Sequence, residues 1–195
     1  MAKLSEDALD QIFRKARSYN GYTDQPVADE DLHAIWDIMK FGPTSANLLP
    51  ARIIWVKSEE AKEKLAGVVS AGNAGKVRSA PVTAIIGMDM EFYEQGHKLF
   101  PHDDVRPWFA GNDKSIADTA FRNSALQGAY LIIAARALGL DTGPMSGFDN
   151  DAVDAAFFAG TSYKSNFICT IGHGDASTIF DRLPRPDFAE FNKIA

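Results

Sequence analysis

The run SIADTAFRNSALQGAYLIIAARALGL, from Ser115 to Leu140, constrains this chain more than any other stretch. From Leu126 to Leu138 it is apolar or small, broken only by Gln127 and Arg136. A helix that apolar must be covered on nearly every side. Membrane spans need about 20 apolar residues, and this run is too short and too interrupted for one. Its length of ~35 Å is also large for a chain of 195 residues to wrap. The helix therefore belongs at the centre of the domain or at a subunit interface. Gly139 followed by Leu140 reads as the glycine and apolar residue that stop a helix. The next loop, Thr142-Gly143-Pro144-Met145-Ser146-Gly147, is rich in residues that let backbone approach a ligand.

Around that run, helical faces appear at Leu9, Ile12, Phe13 and Ala16, behind an N-cap at Ser5. A second face is Leu32, Ile35, Trp36 and Met39, behind Asp29 and Asp31. SEEAKEKLAGVVS is a third amphipathic helix, and DNDAVDAAFFAG a later one. Strands are expected at RIIWVK, at VTAIIGM (apolar enough for burial on both faces), near DTGPM, and at SNFICTIGH. SAGNAGKVRSA reads as a polar connection. From about 89 to 114 periodicity fades into an aromatic, Pro- and Gly-punctuated excursion with the composition of a lid. Strands separated by helices imply a single α/β or α+β domain over 1–195.

Bulk charge narrows function. A net charge of −6 with no basic run argues against nucleic acid as partner. The N-terminus has acidic residues and no apolar core, so no signal peptide is expected and a cytoplasmic address is the default. The one cysteine, Cys169, lies in the apolar run NFICTIG and reads as a core thiol.

Sharper motifs fail on inspection. Gly172-His173-Gly174 follows a strand, but Ser177 stands where a third dinucleotide-binding glycine belongs, and no long helix follows. GPMSG is G-x-x-S-G, not a nucleophile elbow. His97, His102, Asp103 and Asp104 lack metal-ligand spacing, so no metal is expected. What remains are polar segments beside strong elements: ARSYN, GPTSAN, GNAGK, GPMSG and DRLPR. They offer phosphate, hydroxyl and amide partners without an evident general base. That pattern suits a cofactor that brings its own chemistry.

Those segments also carry a resemblance. ARxxNG at 16–21, MKxGPTSAN at 39–47, PAR at 50–52 and SxGNxxKxxxAPVTAI at 70–85 stand in order along the chain. EFYE, LFPHxD and WF at 91–109, TAFRN at 119–123, LGLDTGPMSGFD at 138–149 and AFFAG at 156–160 follow. SNxxxxIGxGD at 165–175 and RLPR at 182–185 close the series. Over nearly its whole length the chain resembles the FMN-dependent nitroreductase family, nearest to its malonic semialdehyde reductase branch.

The resemblance implies an α+β fold with a central mixed sheet flanked by helices. It also implies an intertwined homodimer with FMN at each subunit interface. By position, Arg17, Ser18 and Asn20 fall in the phosphate-contacting motif, with Arg182 closing on the phosphate. Pro43, Thr44, Ser45 and Asn47 would line the flavin across the interface. Asn73 and Lys76 would address its pyrimidine edge and ribityl chain, and Pro144, Met145, Ser146 and Gly147 one flavin face. The family often has basic residues where Asn20 stands and near Phe180, and Arg185 is placed to compensate. NADH or NADPH would be the electron donor, and malonic semialdehyde the acceptor, giving 3-hydroxypropionate. Nitroaromatics or quinones are the broader alternative, and a flavin-binding protein without turnover is a third. Arg106 is a candidate for a substrate carboxylate, or else an ion pair with Asp103 or Asp104. Trp108, Phe109 and Phe92 are candidates to cover the flavin.

Overall fold

The run VTAIIGM does become a strand buried on both faces. In the computed structural model, which describes residues 2–195, strand β2 (Val82–Asp89) has Val82, Ala84, Ile85 and Ile86 fully buried. It is flanked by β1 (Ala51–Val56) and β4 (Tyr163–Gly172), and β3 (Asp141–Met145) forms the far edge, in the order β1-β2-β4-β3. Every strand pair is antiparallel. The expected mixed sheet is thus corrected. Among the described residues the one parallel pairing is an isolated bridge from Ser18 to Thr142 on the outer edge of β3.

Helices cover both faces because alternate side chains of β2 and β4 point opposite ways. On one face α2 (Asp29–Met39) and the long α7 (Asp113–Ala137) enclose Ile35, Met39, Ala84, Ile86, Leu131, Ala134 and Cys169. On the other, α3 (Glu59–Ala66), α4 (Ala71–Ser79) and α8 (Asn150–Phe157) enclose Leu65, Val77, Ile85, Val153 and Ile168. Each buried Leu, Ile or Val contributes about 1.5–3 kcal/mol.

Local expectations are mostly met, with informative exceptions. Ser5 caps α1 (Glu6–Leu9), but the helix then widens into a π turn over Asp10–Arg14. Trp36 is 39% exposed and does not face inward: Leu32, Ile35 and Met39 fill that face, and the indole sits on its shoulder. SAGNAGKVRSA is not a connection but α4. Its one buried residue, Val77, is too little apolar signal for periodicity to show. Gly139 ends α7 at φ +82, its N–H donating to Arg136 O at 3.0 Å while Leu140 N–H reaches Ala135 O at 2.9 Å. That pair of bonds is the glycine stop expected there.

Burial of α7 is one-sided, not all round. Phe121 (56% exposed) and Leu126 (41%) stand out of the protein beside Ala125 and Ala129. The excursion forms helical turns at Phe92–Gln95, α5 (Gly96–Leu99) and α6 (Arg106–Phe109) around its own apolar cluster of Phe92, Val105 and Phe109. The tail after Thr178 has one short helix, α9 (Phe188–Phe191), and is otherwise irregular and exposed. No described helix is long and apolar enough to cross a membrane.

Cys169 is wholly buried, and burial pushes its thiol up to about 12. An unfolded thiol titrates near about 8.5. Between those values the folded chain keeps a proton that the unfolded chain releases. This contribution is therefore complete below about pH 8.5 and falls by about 1.4 kcal/mol per unit as pH rises toward the folded value. The expected result is that a thiol reagent at about pH 8 labels Cys169 only in denaturant. Rapid labelling of the native chain would show that β4 opens.

Candidate functional site

Guanidinium groups converge where the chain's two ends meet. The π turn delivers Arg17 and Ser18, the last turn of α7 supplies Arg136, and the tail brings Arg182 and Arg185. Together with Phe13 and Phe180 they line a cleft of about 690 Å³. Arg182 Nη2 donates to Ala16 O at 3.0 Å, Arg17 Nη2 to Phe180 O, and Arg136 Nη1 to Ile12 O at 3.1 Å. Arg185 Nη1 is held by the carbonyls of Leu183 (3.1 Å) and Pro184 (3.0 Å).

Carbonyls orient these cations without neutralising them. Arg14 is engaged by Glu6 and Asp10, but Arg17, Arg136, Arg182 and Arg185 have no carboxylate within ion-pairing distance among the described residues. Only Asp181 brings negative charge to the cleft wall. The buried Nε of Arg136 has no partner, and burial lowers the pKa of this guanidinium. Such a cluster is complementary to an anion with several oxygens, which guanidinium forks bind in paired hydrogen bonds. Asn20 does not join it. Its Nδ2 donates to Thr178 O at 2.9 Å and lashes the tail to residues 16–20.

A strip of backbone leads away from the cleft. Ser18 bridges Thr142, and Tyr19 N–H donates to Thr142 O at 3.1 Å. From there β3 and the two residues after it span about 16 Å to Gly147, at about 3.3 Å per residue. Pro144 and Ser146 are exposed along it and Met145 is buried. Among the described residues, the Ser146 and Gly147 amides donate to no protein acceptor. At the far end Gly147 O accepts from Ser70 N (2.9 Å) and Asn73 Nδ2 (3.0 Å), and Lys76 lies one turn beyond Asn73 on α4. Among the described residues Lys76 has no carboxylate within ion-pairing distance. The arrangement is an elongated surface with an anion grip at one end and a lysine at the other.

A side chain at Gly147 would put its Cβ 2.8 Å from Asn73 Nδ2 and 3.1 Å from Ser70 Oγ. Gly147→Ala must therefore displace the amide that bonds its own carbonyl, at a cost of about 1–3 kcal/mol. We expect a thermal midpoint lowered by about 2–10 °C, read in a melting curve. An unchanged midpoint would mean that Asn73 turns away freely.

Pro43, Thr44, Ser45 and Asn47 form a separate group after α2. Tyr130 Oη donates to Pro43 O at 3.0 Å, Ser45 N–H to Asn123 Oδ1 at 2.8 Å, and Asn47 Nδ2 to Leu99 O at 2.9 Å. Asn123 and Arg136 lie at opposite parts of α7, about 20 Å apart along its axis. The Pro43–Asn47 group and the arginine cleft therefore stand at separated places on one chain.

The excursion residues divide differently. Arg106 is exposed and binds Asp104 in a fork, Nε to Oδ1 and Nη2 to Oδ2, each at 3.0 Å. The guanidinium holds the Asp104 carboxyl below its ordinary range. Phe92 and Phe109 pack edge to face at 4.9 Å inside the excursion's core, while Trp108 stays half exposed. No cluster of three metal-binding side chains occurs among the described residues. Arg136, Asn123 and Gln127, which hydrogen-bond Ile12 O, Ser45 N and Ala51 N, were not assigned contacts by the sequence reading. They sit inside an apolar helix, where only their polarity marked them.

Comparison with known proteins gives three concordant findings. Residues 13–173 match the model of the Nitroreductase family. A Burkholderia lata protein named "Putative NADH dehydrogenase/NAD(P)H nitroreductase" is 59% identical over 194 residues, covering 100% of both chains. Among solved structures, a Bacillus subtilis protein described as a nitroreductase superposes with TM-score 0.87 at 24% identity, over 98% of this chain and 100% of that one. Another, described as a nitroreductase from Exiguobacterium sibiricum in complex with FMN, gives TM-score 0.82 at 21% identity over 100% of both.

Proposed function

Because this chain belongs to the nitroreductase family, we propose that it is an FMN-dependent NAD(P)H oxidoreductase of the cytoplasm. One observation carries the reading: Arg17, Arg136, Arg182 and Arg185 gather at one end of the β3 edge and Lys76 stands at the other, none of these with a carboxylate in ion-pairing distance among the described residues. FMN supplies two-electron hydride chemistry at its N5 when bound. Arg17, Ser18 and Arg182, assisted by Arg185, take its phosphate. Asn73 and Lys76 meet the pyrimidine edge, where the Lys76 charge favours the negative charge that reduction places there. The Ser146 and Gly147 amides, with Pro144 and the backbone of Met145, would pass along one face of the flavin. Thr44, Ser45 and Asn47 come from the second subunit.

What one chain leaves uncovered supports a homodimer. The outer stripe of α7 presents Phe121 and Leu126, and the tail presents Phe188, Phe191 and Ile194. A two-fold arrangement buries both patches in matched pairs and brings the Pro43–Asn47 group of one chain to the cleft of the other.

NADH or NADPH would be the electron donor, and a small acceptor would be reduced in turn at the same site. The narrow reading has malonic semialdehyde as acceptor, reduced to 3-hydroxypropionate, and rests on the sequence motifs between 16 and 185. A broader nitroaromatic or quinone reductase is favoured by one observation, that Arg106 is already paired with Asp104 and does not offer a free cation. In the test, the protein is mixed with FMN without oxygen, and the visible spectrum is followed as NADH or NADPH is added. Bleaching, then recovery on adding malonic semialdehyde, supports the narrow reading. Recovery only with nitroaromatics or quinones supports the broad one. FMN bound but reduced by neither nicotinamide would mean a flavin-binding protein without turnover, and no FMN bound at all would end the proposal.

A further inference from the structure

The segment from Ser45 to Leu49 is bent in a way its residues do not favour. Ala46, Asn47 and Leu49 all have positive φ, at 47, 53 and 41, and none is glycine. A side chain at such a φ is strained, and strain persists only where surrounding structure enforces it. Two residues of α7 do so here. Asn123 and Gln127 lie one turn apart on its inward face and are both buried. Asn123 Oδ1 accepts from Ser45 N at 2.8 Å, while its Nδ2 donates to Thr119 O at 2.8 Å and Ser45 Oγ at 3.3 Å. Gln127 Oε1 accepts from Ala51 N at 2.8 Å. The two carboxamides thus pin both ends of the strained segment to one rigid helix. Between the pins, Thr44 Oγ1 accepts from Leu49 N at 3.2 Å and the Leu48 side chain is buried.

Gln127 Nε2 is buried with no partner. An unpaired buried donor is destabilising, but an apolar residue there would orphan the buried Ala51 N–H instead. What Gln127 contributes is the hold of its Oε1 on Ala51. We propose that Asn123 and Gln127 are positioning residues, which hold the Ser45–Leu49 loop in its left-handed form so that Thr44, Ser45 and Asn47 are presented to the cofactor. This inference rests on the FMN reading above.

The test is Asn123→Leu, alone and combined with Ala46→Gly. Glycine adopts positive φ without strain, so the double variant should regain the loop without the pin. In the protein without flavin, exchange of the Asn47, Leu48 and Leu49 amides should accelerate about tenfold in Asn123→Leu, with the amides of β2 unchanged. FMN affinity in that variant should fall about tenfold, and Ala46→Gly should recover most of both effects. A packing role for Asn123 would not be rescued by glycine at position 46. Unchanged exchange, or no rescue, overturns the clamp. Accelerated exchange with FMN affinity intact overturns the positioning role. Should Asn123→Leu fail to fold, Gln127→Met carries the same readouts. A wild-type chain that binds no FMN defeats the proposed function and with it the positioning role, while the exchange measurement still decides whether the pins hold the loop.

Discussion

Arg182→Ala is expected to weaken FMN binding about 10- to 100-fold and to leave the subunit assembly intact. A hydrogen bond to a charged group contributes about 1.5–3 kcal/mol, and every 1.4 kcal/mol is about tenfold in affinity. The lower end applies if Arg185 moves into the vacated place, since its guanidinium lines the same cleft and has no carboxylate of its own. Arg182→Lys should retain part of the affinity. It keeps the charge but loses the planar fork and the bond that now fixes Arg182 to Ala16 O. Quenching of flavin fluorescence measures the affinity, and light scattering measures the assembly. Binding of riboflavin, which lacks the phosphate, should be the same in the variant and the wild type. Equal FMN affinity would remove the phosphate from this cleft, and an equal loss with riboflavin would mean that the tail had been dislodged instead.

Why some of this was legible in the sequence and some was not has a physical explanation. Strands β2 and β4 announced themselves because burial on both faces demands largely apolar runs, and Gly139-Leu140 because only glycine takes the turn at φ +82 cheaply. Arg17, Ser18 and Arg182 were grouped by their motifs in the sequence, and the structure does bring them to one cleft. Asn20 looked the same and is spent on Thr178 O, because which way a side chain points depends on a tail 158 residues away in sequence. α4 was missed for the opposite reason: with Val77 as its one buried residue, its face carries almost no periodic signal. Antiparallel pairing cannot be read from strand composition, which is how a sheet antiparallel in all its pairs was expected to be mixed. The strain at Ala46 and Leu49 was invisible as well, since nothing in the letters of GPTSANLL requires positive φ without glycine.

Deleting Asp187–Ala195 should convert the proposed dimer to a monomer at micromolar concentration. The deleted segment exposes Phe188 (64%), Phe191 (78%) and Ile194 (86%), three large apolar side chains that one chain leaves in water. Covering each contributes about 1.5–3 kcal/mol, and two-fold symmetry doubles the sum to roughly 9–18 kcal/mol before the cost of ordering the tail. Ordering the segment and fixing the partner offset much of that gross figure. A residual of about 4 kcal/mol already weakens dimerisation about 1000-fold. The stripe of Phe121 and Leu126 on α7 stays in place and would leave a weak association at high concentration. Arg182 and Arg185 also remain, so the cleft keeps its cations. If the Pro43–Asn47 group acts across the interface, FMN affinity of the truncated chain should become dependent on protein concentration, rising as dimers re-form. Sedimentation velocity and FMN titration at two protein concentrations measure both effects. An undiminished dimer would assign assembly to the α7 stripe alone. A monomer with unchanged FMN affinity would place every flavin contact within one chain and dissolve the argument that the two separated halves of the site are completed by a partner.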